Sequence, residues 1–295
     1  MKRRDLLRRS AVLGLMTALP LSRPAWAAVW NSGKGDEPNP LKPPQGTKRI
    51  PVAFLISEDA VVIDFAGPWE VFHQSGFSTY TVAETPKSIQ AMGGMRIIPN
   101  YTFAAAPMPK VLVIPAQNGS SRAMLDWIRR VSQKTDVTMS VCTGALILAA
   151  TGLLNGKPAT THHASFKEMA MSFPEIQVKR GARFVEAGNL ATSGGLSSGI
   201  DLALRVVERY YGREKAEKVA YEMEYQGQGW KDPNSNQVYA KARVSTADHP
   251  LCPVCEMDAD PSSPTSVYKG KTYYFCMPPH KEAFDKSPEK YLDSK

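Results

Sequence analysis

The sequence predicts an α/β protein with a mostly parallel sheet and helices on both faces, followed by a small metal-binding module of the α+β type. Two observations predict this organisation. Between residues 50 and 226, short apolar runs alternate with amphipathic segments, which is typical of a parallel sheet covered on both sides. After residue 250 the composition changes, and three of the four cysteines fall in that last stretch.

The apolar runs predict the strands. They are short and rich in valine, isoleucine and leucine, as expected of strands buried on both faces. The predicted strands are Ile50–Ile56, Phe77–Ala83, Val111–Ile114, Val137–Val141 and Pro158–Thr161.

Apolar residues three and four positions apart predict the helices between these strands. Pro68 suits the first turn of a helix, so the first helix is expected to begin at Gly67. The predicted helices are Gly67–Phe72, Ser121–Val131, the segment after Cys142, Ser197–Tyr211, Glu214–Tyr225 and a short one around Val238–Arg243.

The first 27 residues have the features of an export signal. A basic start precedes a short apolar centre and the small-x-small site Ala25-Trp26-Ala27, so cleavage after Ala27 is expected. The apolar centre is far shorter than the ~20 residues of a spanning helix, so no membrane anchor is expected after cleavage. The string "RRDLLR" resembles a twin-arginine signal, and the alternative is an ordinary secretory signal. Both predict a periplasmic protein.

The remaining chain divides by composition. Residues 28–48 are polar and proline-rich and predict a flexible arm, residues 49–226 form the α/β domain, residues 227–250 a linker, and residues 251–295 the small module. The formal charge is +8, but residues 1–27 carry six basic residues and one acidic residue, a net +5, which leaves +3 for the rest. This small excess gives no reason to expect nucleic acid as a partner.

Cys142 stands between a predicted strand and a predicted helix. Ser140 and Gly144 are small neighbours that a tight strand-to-helix turn needs, and chemistry collects at the carboxyl ends of parallel strands. The amino end of the following helix should favour the thiolate, which is the nucleophilic form. The alternative is a buried inert thiol, because free cysteine is among the most buried residue types.

Three stretches resemble the ThiJ/PfpI superfamily, whose fold is flavodoxin-like. They are "VIDFAGPWEVF", "SVCTGALILAATGLLNGKPATTHH" and "TSGGLSSGIDLALRVVERYYGREKAEKVAYEMEY", in the order that the family has. The isonitrile hydratase-like branch is the nearest. The resemblance implies a cysteine-dependent hydratase or hydrolase that acts on a small-molecule electrophile and needs no cofactor in this domain, and it suggests a homodimer.

The resemblance also implies the catalytic residues. Cys142 would be the nucleophile, Asp64 at a neighbouring strand end would position it and move its proton, and Thr143 would line the pocket. Asp64 has an alternative role as a helix cap. His162 is a further candidate for the catalytic group, although a histidine packed at a strand end is the commoner case.

Two positions depart from the family pattern. The family has a glycine pair where this chain has Ala116 and Gln117, and their side chains would alter an anion-stabilising turn. His163 replaces the aromatic residue that usually follows His162.

The small module carries four metal-ligand residues in two pairs, Cys252 with Cys255 and Cys276 with His280. This spacing suits tetrahedral coordination of a zinc or copper ion. The stretch from residue 252 to residue 292 resembles the YHS domain, with Cys252 in place of the usual aspartate and His280 in place of the usual cysteine. A Cys252–Cys255 or Cys255–Cys276 disulfide is the alternative, because the periplasm oxidises thiols.

These patterns support two hypotheses from different classes. The first is an exported enzyme that uses Cys142 and Asp64, with a metal-binding tail. The second is a non-catalytic protein for metal handling or redox stress that depends on the tail. A transcription regulator fits the family branch but not this chain, which shows no DNA-binding helix pair after Gln226.

Overall fold

The structure is a computed structural model and describes residues 49–260 and 262–292. The predicted signal peptide, 1–27, and the predicted arm, 28–48, lie outside the described residues. The strands are β1 (Pro51–Leu55), β2 (Ser78–Ala83), β3 (Ile89–Gln90), β4 (Arg96–Ile97), β5 (Tyr101–Thr102), β6 (Val111–Ile114), β7 (Val137–Ser140), β8 (Pro158–Ala159), β9 (Gln177–Val178), β10 (Phe184–Ala187), β11 (Leu190–Ser193), β12 (Thr265–Tyr268) and β13 (Lys271–Tyr274).

The helices alternate with these strands as predicted. They are α1 (Val62–Gln74), α2 (Arg122–Ser132), α3 (Gly144–Ala150), α4 (Phe166–Ser172), α5 (Ser198–Tyr211), α6 (Arg213–Glu222), α7 (Pro278–Lys286) and α8 (Pro288–Leu292). The short helix expected around Val238–Arg243 is a single 3₁₀ turn, Gln237–Tyr239. None of the helices in the described ranges has the length and apolar character needed to cross a bilayer.

Seven strands form the main sheet, in the order β10-β11-β7-β6-β1-β2-β5. All neighbours are parallel except β10 and β11, which pair antiparallel. The predicted fold class is therefore confirmed, with one antiparallel edge strand. The sheet places β6 and β7 at its centre, so the turns that follow these strands lie side by side.

Successive side chains of the central strands point to opposite faces of the sheet and pack in two separate cores. In β1, Val52 and Phe54 pack on one face with α1, α5 and α6, whereas Ala53 and Leu55 pack on the other with α2, α3 and α4. This alternation explains the continuous apolar strands, since every side chain of a central strand is buried.

Helix α1 begins five residues earlier than predicted. Pro68 lies inside the helix rather than in its first turn. The chain is fixed at Val61, whose N–H donates to the Ala116 carbonyl at 2.8 Å, and the apolar face of α1 packs on the sheet. These tertiary contacts outweigh the local preference of proline for a first turn.

The small C-terminal module has its own core. Strands β12 and β13 form a hairpin, and Phe275 and Phe284 are buried against Cys252 and Cys255. The segment interpreted as a linker, 227–250, begins against the large domain: Trp230 is 2% exposed and belongs to the core that contains α5.

Candidate functional site

Cys142 occupies a strained turn between β7 and α3. Its φ is +58°, a left-handed conformation that costs a non-glycine residue on the order of 1 kcal/mol or more. Hydrogen bonds hold the residue on both sides: its N–H donates to the Gly194 carbonyl at 3.0 Å, and its carbonyl accepts from the Thr161 hydroxyl at 3.0 Å. The expected elbow is present, and it presents one sulfur at the carboxyl edge of the sheet.

Gly144 is required where α3 passes the neighbouring strand end. A β-carbon built on Gly144 would lie 2.2 Å from the Ile114 carbonyl oxygen and 2.7 Å from the Pro115 carbonyl oxygen. Because both neighbours are backbone atoms, they cannot move aside cheaply. The small neighbour that the sequence placed two residues after Cys142 therefore lets the elbow pack against β6.

Asp64 lies in the first turn of α1 and not at a strand end, where it was expected. It is fully buried. The alternative role as a cap of its own helix is wrong, because its Oδ2 atom accepts the N–H of Ala116 at 3.1 Å, across the sheet edge. This amide belongs to the stretch where the resemblance implied a glycine pair. In this chain it donates a hydrogen bond to the Asp64 carboxylate.

Asp64 and Cys142 lie close enough to influence each other's pKa. Burial is the largest influence on Asp64 and raises its pKa from 3.8 to about 7, while the N–H of Ala116, the Cys142 thiol and the N–H of Leu196 act to lower it. The other carboxylate oxygen, Oδ1, is buried without a hydrogen bond of ordinary geometry. The carboxyl group thus keeps a free acceptor position beside the sulfur.

The thiol is not activated in the way the sequence suggested. Burial, and next the negative charge of Asp64, raise the pKa of Cys142 to about 12. The N–H and hydroxyl of Thr143 and the N–H of Leu196 lower it, as expected of donors near the helix start, but by less. Desolvation outweighs the helix end here, so Cys142 is a protonated thiol at neutral pH and needs a base.

Thr143 directly follows Cys142, and its backbone N–H and hydroxyl act to lower the pKa of the thiol. Leu196 was missed by the sequence analysis: its φ is +51°, and its N–H contacts both Cys142 and Asp64. The glycine pair Gly194-Gly195 directly before it was the available signal.

His162 lies beside this pair but bonds to its own loop. Its Nδ1 atom accepts the N–H of Ala164 at 3.3 Å, and burial lowers its pKa. His163 packs as the family's aromatic residue would: its ring stacks on Tyr239, with 4.5 Å between centroids and 10° between planes.

A second site lies in the small module. The ligand atoms of Cys252, Cys255, Cys276 and His280 all lie within 4.8 Å of one another. The Cys255 and Cys276 sulfurs are 3.4 Å apart, and the Nδ1 atom of His280 is 3.2 Å from the sulfur of Cys276 and 3.7 Å from that of Cys252. All four cysteines of the protein are unpaired thiols. Three thiols and an imidazole converging on one point fit a metal ion that prefers sulfur and nitrogen ligands.

Comparisons with known proteins identify the two parts of the chain. The model of the DJ-1/PfpI family matches residues 51–209, and the model of the YHS domain matches residues 252–295. Isonitrile hydratase of Pseudomonas putida is 32% identical over 182 residues, which cover 60% of this chain and 78% of that protein. The HTH-type transcriptional regulator GbdR of Pseudomonas aeruginosa is 22% identical over 186 residues, and this chain spans 50% of its length.

Solved structures give the same fold. A ThiJ/PfpI family protein from Pseudomonas syringae superposes with a TM-score of 0.56 at 28% identity, covering 61% of this chain and 76% of that one. Drosophila melanogaster DJ-1beta superposes with a TM-score of 0.53 at 21% identity, covering 59% of this chain and 97% of that one, and shows the fold alone. The chain therefore belongs to the DJ-1/PfpI family, is related to isonitrile hydratase, and carries a C-terminal YHS domain.

Proposed function

We propose that this protein is a cysteine-dependent hydratase that converts an isonitrile into an N-substituted formamide. The observation that carries the proposal is the buried pair of Asp64 and Cys142 at the elbow: each side chain influences the pKa of the other, and the carboxylate oxygen Oδ1 has no hydrogen bond. The relationship to a protein named isonitrile hydratase supports the choice of electrophile.

The first step joins the sulfur to the terminal carbon of the isonitrile. Asp64 takes the thiol proton while the Sγ–C bond forms, and the N–H groups of Thr143 and Leu196 stabilise the charge that develops on sulfur. The proton then passes from Asp64 to the same carbon, which gives a thioimidate. A carboxylate with a pKa near 7 suits this exchange, because it both accepts and returns a proton at neutral pH.

The second step releases the product. Water adds its oxygen to the thioimidate carbon and gives one proton to Asp64, which passes it to the nitrogen. The C–S bond then breaks as the added hydroxyl becomes C=O, the hydroxyl proton moves through Asp64 to the sulfur, and the formamide leaves. The net reaction adds one water to one isonitrile, so no oxidant, reductant or cofactor is consumed.

Turnover of isonitriles by the full chain tests this proposal. We expect formamide production that Cys142→Ala abolishes and that Asp64→Asn lowers by about 10²–10⁴-fold, the usual contribution of a general acid–base group. Cys252→Ser, which changes a cysteine in the other site, is the matched control and should retain the rate per folded protein. Equal rates in wild type and Cys142→Ala would refute the proposal.

We further propose that the YHS domain holds one zinc or copper ion through Cys252, Cys255, Cys276 and His280. The support is the convergence of their ligand atoms. Such an ion would stabilise a module with a small core and has no step in the hydration. Elemental analysis of the purified protein should find one ion per chain and none in Cys276→Ser. A Cys255–Cys276 disulfide in protein from its native compartment would contradict the site.

The four-ligand cluster also supports the second candidate function, a protein for metal handling or redox stress in which the large domain does no chemistry. This alternative predicts metal binding without turnover. Protein that loads one ion and leaves isonitriles, amides and glyoxals unchanged would favour it over the hydratase.

Export to the periplasm is likewise a proposal. The basic start, apolar centre and Ala25-Trp26-Ala27 site of the sequence support it. Fractionation of cells that express the full chain should place the shortened protein in the periplasm. Replacing Arg3 and Arg4 by lysine should retain it in the cytoplasm if the route is the twin-arginine one.

A further inference from the structure

A cavity of about 160 Å³ adjoins the Asp64–Cys142 pair; we refer to it as the side cavity. Two of its lining residues touch the elbow directly. The N–H of Leu196 acts to lower the pKa of both members of the pair, and Thr161 donates its hydroxyl to the Cys142 carbonyl. Cys142 and Asp64 do not line the cavity themselves, but Leu196 lies beside both the pair and the cavity, so this is the neighbouring space that we consider for a substituent of the substrate.

Polar lining atoms of the side cavity include two unused donors. Ser198 is fully buried, yet its hydroxyl has no hydrogen-bond partner. Asn236 accepts from Arg183 through its Oδ1 atom at 3.2 Å, which turns its Nδ2 amino group away from that guanidinium. A β-carbon on Gly194 would lie 2.9 Å from this Nδ2 and 3.0 Å from the Ser198 Oγ, so both donors face the same bare glycine.

His162 and Arg183 add further donors. Because the Nδ1 atom of His162 accepts a backbone N–H and burial keeps the ring neutral, its proton is placed on Nε2. Arg183, whose side chain is 17% exposed, lines the cavity, while its counter-ion Asp201 is fully buried and does not line the cavity. The cavity therefore presents donors and one positive group.

We propose that the side cavity binds a carboxylate on the N-substituent of the substrate, so that the preferred substrates are isonitriles that carry an acid group. This inference rests on the proposed function for the reaction, but the binding itself does not. A carboxylate offers about four acceptor positions, and charge-assisted hydrogen bonds to it are the strong ones. Asn236 comes from the segment after α6, so residues outside the sheet domain set this preference.

Binding of two small probes to the full chain tests the inference without catalysis. N-formylglycine has the carboxylate, and N-formylglycinamide is its neutral counterpart of the same size. Calorimetry should show at least about tenfold tighter binding of the acid, about 1.4 kcal/mol. Equal affinity for the two probes would overturn the inference.

Three variants locate the site. Asn236→Asp adds a negative charge to the side cavity and should weaken binding of the acid by about tenfold or more while leaving the amide within about twofold. Asn234→Asp makes the same charge change at an exposed position of the same segment and should leave both affinities unchanged. Ser198→Ala should weaken binding of the acid several-fold. The fold should stay intact, because the Ser198 hydroxyl makes no hydrogen bond that the substitution would remove. Equal effects of Asn236→Asp and Asn234→Asp, with no effect of Ser198→Ala, would contradict the assignment.

Kinetics separate this inference from the proposed function. Isocyanoacetate should be turned over with a lower KM than methyl isocyanoacetate, and Asn236→Asp should raise the KM for the acid with little change in kcat. Tight acid binding without any turnover would leave the side cavity assigned and refute the hydratase. Turnover without preference for the acid would leave the hydratase and overturn the carboxylate site.

Discussion

At the scale of single residues, the proposed hydration depends on two buried groups, Asp64 and Cys142. Burial raises the pKa of Asp64 to about 7 and that of Cys142 to about 12. At neutral pH the sulfur holds its proton, and the carboxylate is the group that can take it. The motif in the sequence identified both residues, but not this balance, because desolvation depends on how the whole sheet edge is packed.

The pH dependence of hydration should follow Asp64. Because the ionised carboxylate is the base, kcat/KM should rise with pH and level off above about 7. The raised pKa of the thiol places no second inflection in the neutral range. Asp64→Asn should remove the rise along with most of the rate. A profile that instead rises near the ordinary pKa of a free thiol, about 8.5, would show that the sulfur ionises on its own.

The same carboxyl group should make stability depend on pH. Its pKa is higher in the folded protein, so its stabilising contribution is complete below 3.8 and is lost as pH rises through about 7. An asparagine at this position stays neutral. The difference in the free energy of unfolding, Asp64→Asn minus wild type, should therefore increase by up to about 4 kcal/mol when the pH is raised from about 4 to about 8. Denaturant titrations at the two pH values measure this, and a constant difference would contradict the raised pKa.

At the scale of elements, the elbow is built from β7, α3 and the neighbouring end of β6. The sequence predicted this junction well, because a buried apolar strand followed by small residues around Cys142 is typical of a tight strand-to-helix turn. It predicted α1 less well. Pro68 suggested a later start, whereas contacts of α1 with the sheet begin the helix at Val62 and bring Asp64 into it. Such contacts join residues far apart in the chain, so a local pattern cannot reveal them.

Gly144→Ala tests the close packing of α3 on β6. The added β-carbon would overlap the Ile114 and Pro115 carbonyl groups, so we expect a loss of about 2–4 kcal/mol in the free energy of unfolding and a large loss of turnover. Gly152→Ala is the control, because its φ is +79° but no atom lies within 4 Å of the new β-carbon. It should cost about 1 kcal/mol from backbone strain alone and leave turnover unchanged. Equal losses in the two variants would show that the contact at Gly144 is not tight.

At the scale of the whole molecule, the YHS domain is attached to the large domain next to the four-ligand cluster. The ammonium group of Lys167 donates to the Pro253 carbonyl at 2.8 Å and to the Tyr291 carbonyl at 2.7 Å, and Arg180 pairs with Glu256 at 2.7 Å. Pro253 and Glu256 lie within or next to the Cys252–Cys255 pair. The spacing of cysteine and histidine in the sequence predicted the four candidate ligands of the module. No sequence pattern predicted the contacts between the module and the large domain.

Removal of the proposed metal ion should loosen the module without unfolding the large domain. The small core around Phe275 and Phe284 includes two of the ligand cysteines, and structural metal sites supply much of the folding free energy of such modules. After chelation, hydrogen exchange should speed up across residues 251–292 and stay slow in β1, β6 and β7. Cys276→Ser should reproduce the effect without chelator. Unchanged exchange in the metal-free protein would mean that packing alone holds the module.

The central claim is that the Cys142 sulfur forms a covalent bond to the substrate carbon. Acid quenching during isonitrile turnover, followed by mass spectrometry of peptides, tests it most directly. We predict that the peptide with Cys142 gains the full mass of the isonitrile, because both the sulfur and the thiol proton become bonded to the terminal carbon. The peptides with Cys252, Cys255 and Cys276 should show no such gain. Turnover that proceeds with no adduct on Cys142 and persists in Cys142→Ala would contradict it.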